Sequence, residues 1–386
     1  MKKLVVLFFI AIMYANAFGQ KKEALQLNPI LGVMGVAPVG GGFSMEGYWV
    51  WCGSVIKGDD NLYHMYASRW PKNLPFHPGW MAASEVVHAT SKTPEGPFSF
   101  SEIALPARGA QYWDGRATHN PRVVKYKDTY ILYYMGSTHP FDDVIANPDT
   151  LTLQSMYATV GRANKRIGIA TSKSPFGPWE RRDQPILDTK PDSYYSFLTS
   201  NPAPLIEEDG SVLLVFKARA YKSKYPFQGD MSLGVAKAPN FNGPYTVVSP
   251  EPIFSMNKYG EVEDPYIWKD QTGYHMIAKD QRGLITGKQH SGMAAFSKDG
   301  INWQPENVPL AYTKLIKWSD GKTIEMGQLE RAAPLFENGV ITHLYFATMD
   351  GKGGFANGTK SWNMVVPMAK DSNVNKNVKQ RGRKKQ

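Results

Sequence analysis

Asn120-Pro121-Arg122-Val123-Val124-Lys125-Tyr126-Lys127-Asp128-Thr129-Tyr130-Ile131-Leu132-Tyr133-Tyr134 reads as a hairpin: a β-branched pair, a charged turn at Lys127-Asp128, then an aromatic-rich strand. The same phrase recurs around it. It opens at Gly53-Ser54-Val55-Ile56 and runs to Tyr63-His64-Met65-Tyr66; it opens again at Asn201-Pro202-Ala203-Pro204-Leu205-Ile206 and runs to Leu213-Leu214-Val215-Phe216. Two more copies begin at Asp264-Pro265-Tyr266-Ile267 and Ala333-Pro334-Leu335-Phe336. The apolar pairs start at Val55, Val123, Leu205, Ile267 and Leu335, at intervals of 68, 82, 62 and 68 residues, each long enough for a four-stranded sheet with loops. Helical periodicity is nearly absent.

A second phrase follows in register: Ala89-Thr90-Ser91-Lys92-Thr93-Pro94-Glu95-Gly96-Pro97-Phe98, then Ala170-Thr171-Ser172-Lys173-Ser174-Pro175-Phe176-Gly177-Pro178-Trp179, with looser copies from Ala236 to Tyr245 and from Ala295 to Trp303. Its Pro-Gly turns fit the passage onto an outer edge strand, where proline is tolerated. A β-sandwich does not produce two phrases in register. Radial repetition of sheets predicts an all-β, five-bladed β-propeller.

The ends of the chain are of different character. Met1-Lys2-Lys3, the apolar run Leu4 to Met13 and Ala15-Asn16-Ala17 have the three regions of a secretory signal peptide, with cleavage expected after Ala17. The expected organisation is a signal peptide at 1–17, the propeller at 18–369 and a basic disordered tail at 370–386. No other stretch approaches the roughly 20 apolar residues of a membrane span, so no membrane insertion and a periplasmic or secreted location are expected. Of the net charge of +10, two charges belong to the leader and a net six to the tail, so the body is close to neutral. With no recognition helix or RNA-binding signature, no nucleic-acid partner is expected, although a basic tail can touch a polyanion. The lone Cys52 excludes an internal disulfide framework, and the eight histidines show no ligand spacing, so neither metal nor cofactor is expected.

The X-Asp-Pro strand starts and the Ser-x-x-Pro-x-Gly-Pro-aromatic turns resemble the five-bladed propellers of glycoside hydrolase families 43, 32 and 117 over nearly the whole mature chain. That resemblance implies that residues just before each apolar pair point into a central funnel. Here these are Trp51-Cys52, His119-Asn120, Ser200-Asn201, Glu263-Asp264 and Glu330-Arg331. It also implies an Asp base before blade one, a tuning Asp before blade two and a Glu acid before blade three. This sequence has Cys52, Asn120 and Asn201 there, and an amide neither protonates a leaving oxygen nor activates water.

The candidate catalytic residues are therefore His119, Asp264 and Glu330. Candidate substrate-binding residues are Trp51, Trp113, Arg116, Asn120, Asn201, Lys217, Glu263 and Arg331. The segment Gln111 to Pro121 is the densest candidate, bringing Trp113 for sugar stacking, the Arg116 fork for a carboxylate or sulfate, and His119. Cys52 reads as a packing residue or, with a base beside it, a nucleophile. Arg69, Lys217, Arg219, Lys279, Arg282 and Arg331 follow or begin inner strands; if three of them face the funnel, the ligand is anionic.

A funnel poor in hydrolase acids and rich in cations suits removal of the C5 proton of a uronic acid, with His119 or a tyrosinate as base, and loss of the C4 substituent. At a non-reducing end that is dehydration of an acidic oligosaccharide. The chain also resembles the propeller proteins that marine bacteria encode beside enzymes for acidic, sulfated algal polymers such as ulvan, a setting where oligosaccharide dehydration is known. An exo-hydrolase using Glu263, Asp264 or Glu330, and a propeller that only binds sugar, are the alternatives.

Overall fold

The computed structural model describes residues 34–369. The expected leader, its cleavage site and the basic tail lie outside the described residues. Five sheets follow in chain order, their innermost strands being Tyr48–Lys57, Ala117–Tyr126, Leu198–Ile206, Val262–Lys269 and Gln328–Glu337. Blades one to four are four-stranded antiparallel meanders and blade five is three-stranded, with a separate two-stranded hairpin, Leu315–Lys317 with Thr323–Glu325. This is the five-bladed propeller that the repeated phrase predicts.

The wheel is closed by a segment from the other end of the chain. Phe43 exchanges backbone hydrogen bonds with Asn363 on the outer strand of blade five, Ser361–Pro367, and the Gly35 N–H donates to the Pro367 carbonyl. Side chains reinforce the joint: the Gly53 N–H donates to Asn363 Oδ1 at 2.7 Å and the Val50 N–H to Ser361 Oγ at 3.0 Å.

The two sequence phrases meet across blade interfaces. Tyr66 on the second strand of blade one donates its hydroxyl to the Pro175 carbonyl in the outer turn of blade two, at 2.5 Å. Tyr133 of blade two pairs with Tyr245 of blade three at 2.8 Å, and Tyr345 of blade five donates to the Pro94 carbonyl of blade one at 2.6 Å. A buried phenol needs a partner, and the proline-rich turn of the next blade supplies it. Between blades, apolar faces fill the gap; Ile131, Tyr133 and Ile169 of blade two pack against Val212, Leu214 and Phe216 of blade three.

Each innermost strand is interrupted at the same place. Ladder register shifts occur between Trp51 and Ser54, His119 and Arg122, Glu263 and Tyr266, and Glu330 and Ala333, and opposite Val215–Lys217 in blade three. At each bulge one residue is left-handed: Cys52 (φ 59°), Asn120 (55°), Asn201 (49°), Asp264 (58°) and Arg331 (56°). Asn and Asp tolerate this region, whereas Cys and Arg adopt it at a cost. A bulge re-aims a side chain. Here all five turn toward the propeller axis.

Two helical insertions depart from the all-strand expectation. Phe76–Ala83 interrupts blade one and Met156–Ala163 interrupts blade two, and the second accounts for the long 82-residue interval. The two pack on each other over one side of the funnel. Among the described residues no helix is long and apolar enough to cross a membrane.

Candidate active site

The five left-handed residues form a hydrogen-bonded chain across the funnel floor. Cys52 Sγ–H donates to Asn120 Oδ1 at 2.8 Å, Asn120 Nδ2 to Asn201 Oδ1 at 2.9 Å, and Asn201 Nδ2 to Asp264 Oδ1 at 2.5 Å. Arg331 Nη1 closes on the same Asp264 oxygen at 2.9 Å. All five are buried. Burial pushes the Cys52 thiol far up, so it stays protonated and acts as the donor that starts the chain rather than as a nucleophile. The amides at 120 and 201 suit this role because each donates on one side and accepts on the other, which a carboxylate cannot do.

Above this floor lies a cavity of about 290 Å³. Trp51, Phe76 and Phe355 form an aromatic side, with Trp51 and Phe76 centroids 5.0 Å apart and Phe76 and Phe355 also 5.0 Å apart. Opposite stand cations. Lys217 and Arg219 come from the second strand of blade three, Arg162 from the helical insertion of blade two, and Lys165 from just after it. Among the described residues, Arg162, Lys165 and Arg219 make no ion pair. Burial, with Arg162, Lys217 and Arg219 nearby, pushes Lys165 well below the usual lysine range, and its Nζ sits 3.9 Å from the Trp80 ring centroid.

His119 stacks on Trp80 at 4.9 Å. Its tautomer follows from Ser84, whose single hydroxyl proton goes to the Thr118 carbonyl at 2.9 Å. Ser84 Oγ therefore accepts from His119 Nδ1–H at 2.7 Å, leaving Nε2 with a free lone pair 3.8 Å from Cys52 Sγ. Burial, then Arg331 and Lys165, hold the imidazole neutral by lowering its pKa far below the ordinary value.

The carboxylates share ammonium partners. Lys279 Nζ contacts Glu330 Oε1 and lies 3.6 Å from Glu263 Oε1, while Lys217 Nζ bonds Glu263 Oε2 at 2.5 Å. Glu263, held by two ammonium groups and the Gln281 amide, takes the ionised state despite its burial. Burial pushes Glu330 the other way, up to about 7; Lys279 opposes this, and Asp264 and Glu263 add to it. Asp264, whose Oδ1 accepts from both Asn201 and Arg331, is a fixture of the floor.

Of the residues expected from sequence, Trp51, His119, Asn120, Asn201, Lys217, Glu263, Asp264, Glu330 and Arg331 line this one cavity. Trp113 and Arg116 lie off it. Trp113 plugs the slot above two glycines, where a Cβ added at Gly136 or Gly168 would collide with its ring, and its indole N–H donates to the Arg182 carbonyl. Arg116 turns to the Phe141 carbonyl at 2.9 Å, beside His139 in a separate side pocket. Of the six basic candidates, Lys217, Arg219 and Arg331 line the cavity. Lys279 is buried among the carboxylates, Arg69 is spent on Glu85, and Arg282 on Glu261. Sequence reasoning missed Phe76, His77 and Trp80 on the first insertion, Arg162 on the second, Lys165 just after it, and Phe355; the stretched 82-residue interval signalled only the second insertion.

No family model and no curated protein sequence matches this chain. Solved structures do. Zg3597, a family 117 glycoside hydrolase from the marine bacterium Zobellia galactanivorans, superposes with TM-score 0.61 at 16% identity over 88% of this chain and 91% of its own. An endo-arabinase from Bacteroides thetaiotaomicron gives 0.53 at 14% identity, over 88% and 99%. CoXyl43, a GH43 β-xylosidase/α-arabinofuranosidase from a compost microbial metagenome in complex with xylotriose, gives 0.53 at 14%, over 84% and 92%. The fold is that of the propeller glycoside hydrolases of families 43 and 117.

Proposed function

We propose that this propeller fold, shared with carbohydrate-active enzymes, dehydrates the non-reducing uronate of an acidic oligosaccharide, such as one from a sulfated algal polymer like ulvan. The observation that carries the reading is the pairing of a neutral His119, with a free Nε2, and the guanidinium groups of Arg162 and Arg219, which have no acid partner among the described residues, in one aromatic-sided cavity. The wall includes a matched pair of donors. Trp80 Nε1–H donates to His77 Nδ1 at 2.9 Å, so His77 carries its proton on Nε2, which sits 3.2 Å from Arg162 Nη2. Two donors side by side call for an anionic acceptor such as a carboxylate.

In this arrangement His119 Nε2 takes the C5 proton, and Arg162 and Arg219 stabilise the negative charge that develops on the carboxyl group, with Lys165 as a further N–H donor beside them. Glu330, protonated in part near neutral pH, gives its proton to the departing C4 hydroxyl. Water leaves and a C4–C5 double bond conjugated to the carboxylate remains. Trp51, Phe76 and Phe355 offer stacking surface for the sugar.

A second reading rests on Glu263 and Glu330, whose pKa values are pushed apart as in acid–base pairs of glycoside hydrolases. Glu263 is a poor base, since two ammonium groups hold its charge. Incubation with uronate-terminated oligosaccharides separates the readings. Dehydration gives loss of one water mass and new ultraviolet absorbance with chain length unchanged; shortened sugars without unsaturation would establish hydrolysis instead, and unchanged sugar a binding role.

A further inference from the structure

The funnel floor leaves a charge unbalanced beside the axis. Arg122, two residues after Asn120 on the innermost strand of blade two, is 2% exposed, yet none of its Nε, Nη1 and Nη2 has a protein acceptor. Arg331, also 2% exposed, spends Nη1 on Asp264 and leaves Nε and Nη2 without one. The two guanidinium groups are near enough to repel each other electrostatically, and Cys52, Asp264, Tyr266 and Tyr312 are ionisable groups around Arg122.

Among these neighbours only Asp264 supplies negative charge. The Cys52 thiol and the Tyr266 and Tyr312 phenols are kept neutral by burial. The nearby Lys217–Glu263 and Lys279–Glu330 pairs add no net negative charge. Tyr266 offers the Arg122 guanidinium its ring face at 5.1 Å, which leaves the in-plane N–H donors unaddressed. Two cations against one carboxylate in a buried interior is costly unless a counter-charge and acceptors are present.

We propose that a small monovalent anion, of which chloride is the representative, binds between Arg122 and Arg331 at the floor of the funnel. It would accept from the unpartnered Nε and Nη groups and balance the excess charge. Its site is built by buried side chains of blades two and five, so it acts as a tie across the axis. The site shares Arg331 with the cavity above, but an anion would bind here whatever reaction that cavity performs.

The test uses the full mature chain. Crystals grown with bromide in place of chloride are expected to show an anomalous peak within hydrogen-bond distance of both guanidinium groups. In solution, bromide or chloride at constant ionic strength is expected to raise Tm by about 2 °C or more over gluconate, which is too large to enter. Arg122→Met is expected to lose the halide effect while Arg282→Met, which removes an exposed guanidinium paired with Glu261, keeps it. A bromide crystal without the peak, or a wild-type protein whose melting ignores halide, overturns the proposal. The crystallographic arm needs only the wild-type protein, so a poorly folding Arg122→Met leaves the question decided.

Discussion

Glu330→Gln separates the chemical role of the buried carboxyl group from its structural one. The amide keeps the size of the side chain and an oxygen to accept from Lys279, but carries no proton to give to a leaving hydroxyl. General acid catalysis contributes about 10²- to 10⁴-fold, so kcat on a uronate-terminated oligosaccharide should fall by at least about 10²-fold with KM little changed. In the wild type, kcat/KM should decline as pH rises through about 7, where Glu330 loses its proton. Stability supplies a second reading of the same group. Folding raises its pKa from 4.5 to about 7, so its contribution is fully present below 4.5 and is lost as pH rises through 7. At about 1.4 kcal/mol per pKa unit, the wild type should lose up to ~3 kcal/mol relative to Glu330→Gln between pH 4.5 and 8. Urea unfolding of both proteins across that range measures it. Wild-type turnover in Glu330→Gln refutes the proton-donor role, and a stability difference that does not move with pH refutes the buried neutral acid.

His119→Gln retains an amide near Ser84 but has no basic nitrogen, and turnover should drop at least about 10²-fold with the far-ultraviolet spectrum unchanged; wild-type rates would remove His119 from the reaction. Arg116→Ala, outside the cavity, should leave kcat and KM as they are, and a loss of activity in it would restore the sequence-based expectation. Arg162→Met should raise KM for a uronate-terminated sugar about tenfold or more, as a charge-assisted hydrogen bond is worth roughly 1.5–3 kcal/mol, whereas a neutral-terminated sugar should bind equally well to both proteins. Asn201→Ala breaks the floor between Asn120 and Asp264 and puts alanine at a positive φ. Its urea midpoint should report a loss of about 3 kcal/mol, and an unchanged midpoint would mean that the chain of hydrogen bonds holds nothing together.

The fold was legible because a propeller repeats its local grammar. Val123-Val124 and Tyr130 to Tyr134 state a hairpin by composition alone, and four further copies state the wheel. The funnel positions were legible for the same reason, as residues at a fixed offset from each apolar pair. What Cys52, Asn120 and Asn201 do there was hidden, because their partnership depends on left-handed bulges that align residues from separate blades. Trp113 was misplaced for a related reason. Its destination is set by the gap over Gly136 and Gly168, on two other strands, and nothing within Gln111 to Pro121 encodes that gap. The helical insertions escaped because eight-residue helices carry too few turns for a period to show, so Arg162, and Lys165 just after its helix, had no pattern to announce them.

The joint that closes the wheel also sets a clock. The Val50 N–H to Ser361 Oγ bond spans 311 residues of sequence and the Gly53 N–H to Asn363 Oδ1 bond spans 310. Blades two to four can form hairpin by hairpin from neighbouring residues, but blade one has no neighbour on its free side until the strand at Ser361–Pro367 has been made. Loop closure over such distances makes assembly slow and leaves sheet edges open meanwhile. A polypeptide released early, or nicked before Ser361, keeps an unsealed arc of blades: Arg331 and the innermost strand of blade five are present, but the outer strand that would hold blade one to them is missing. Completion of the circle, rather than the stability of any one blade, is the step on which a working funnel depends.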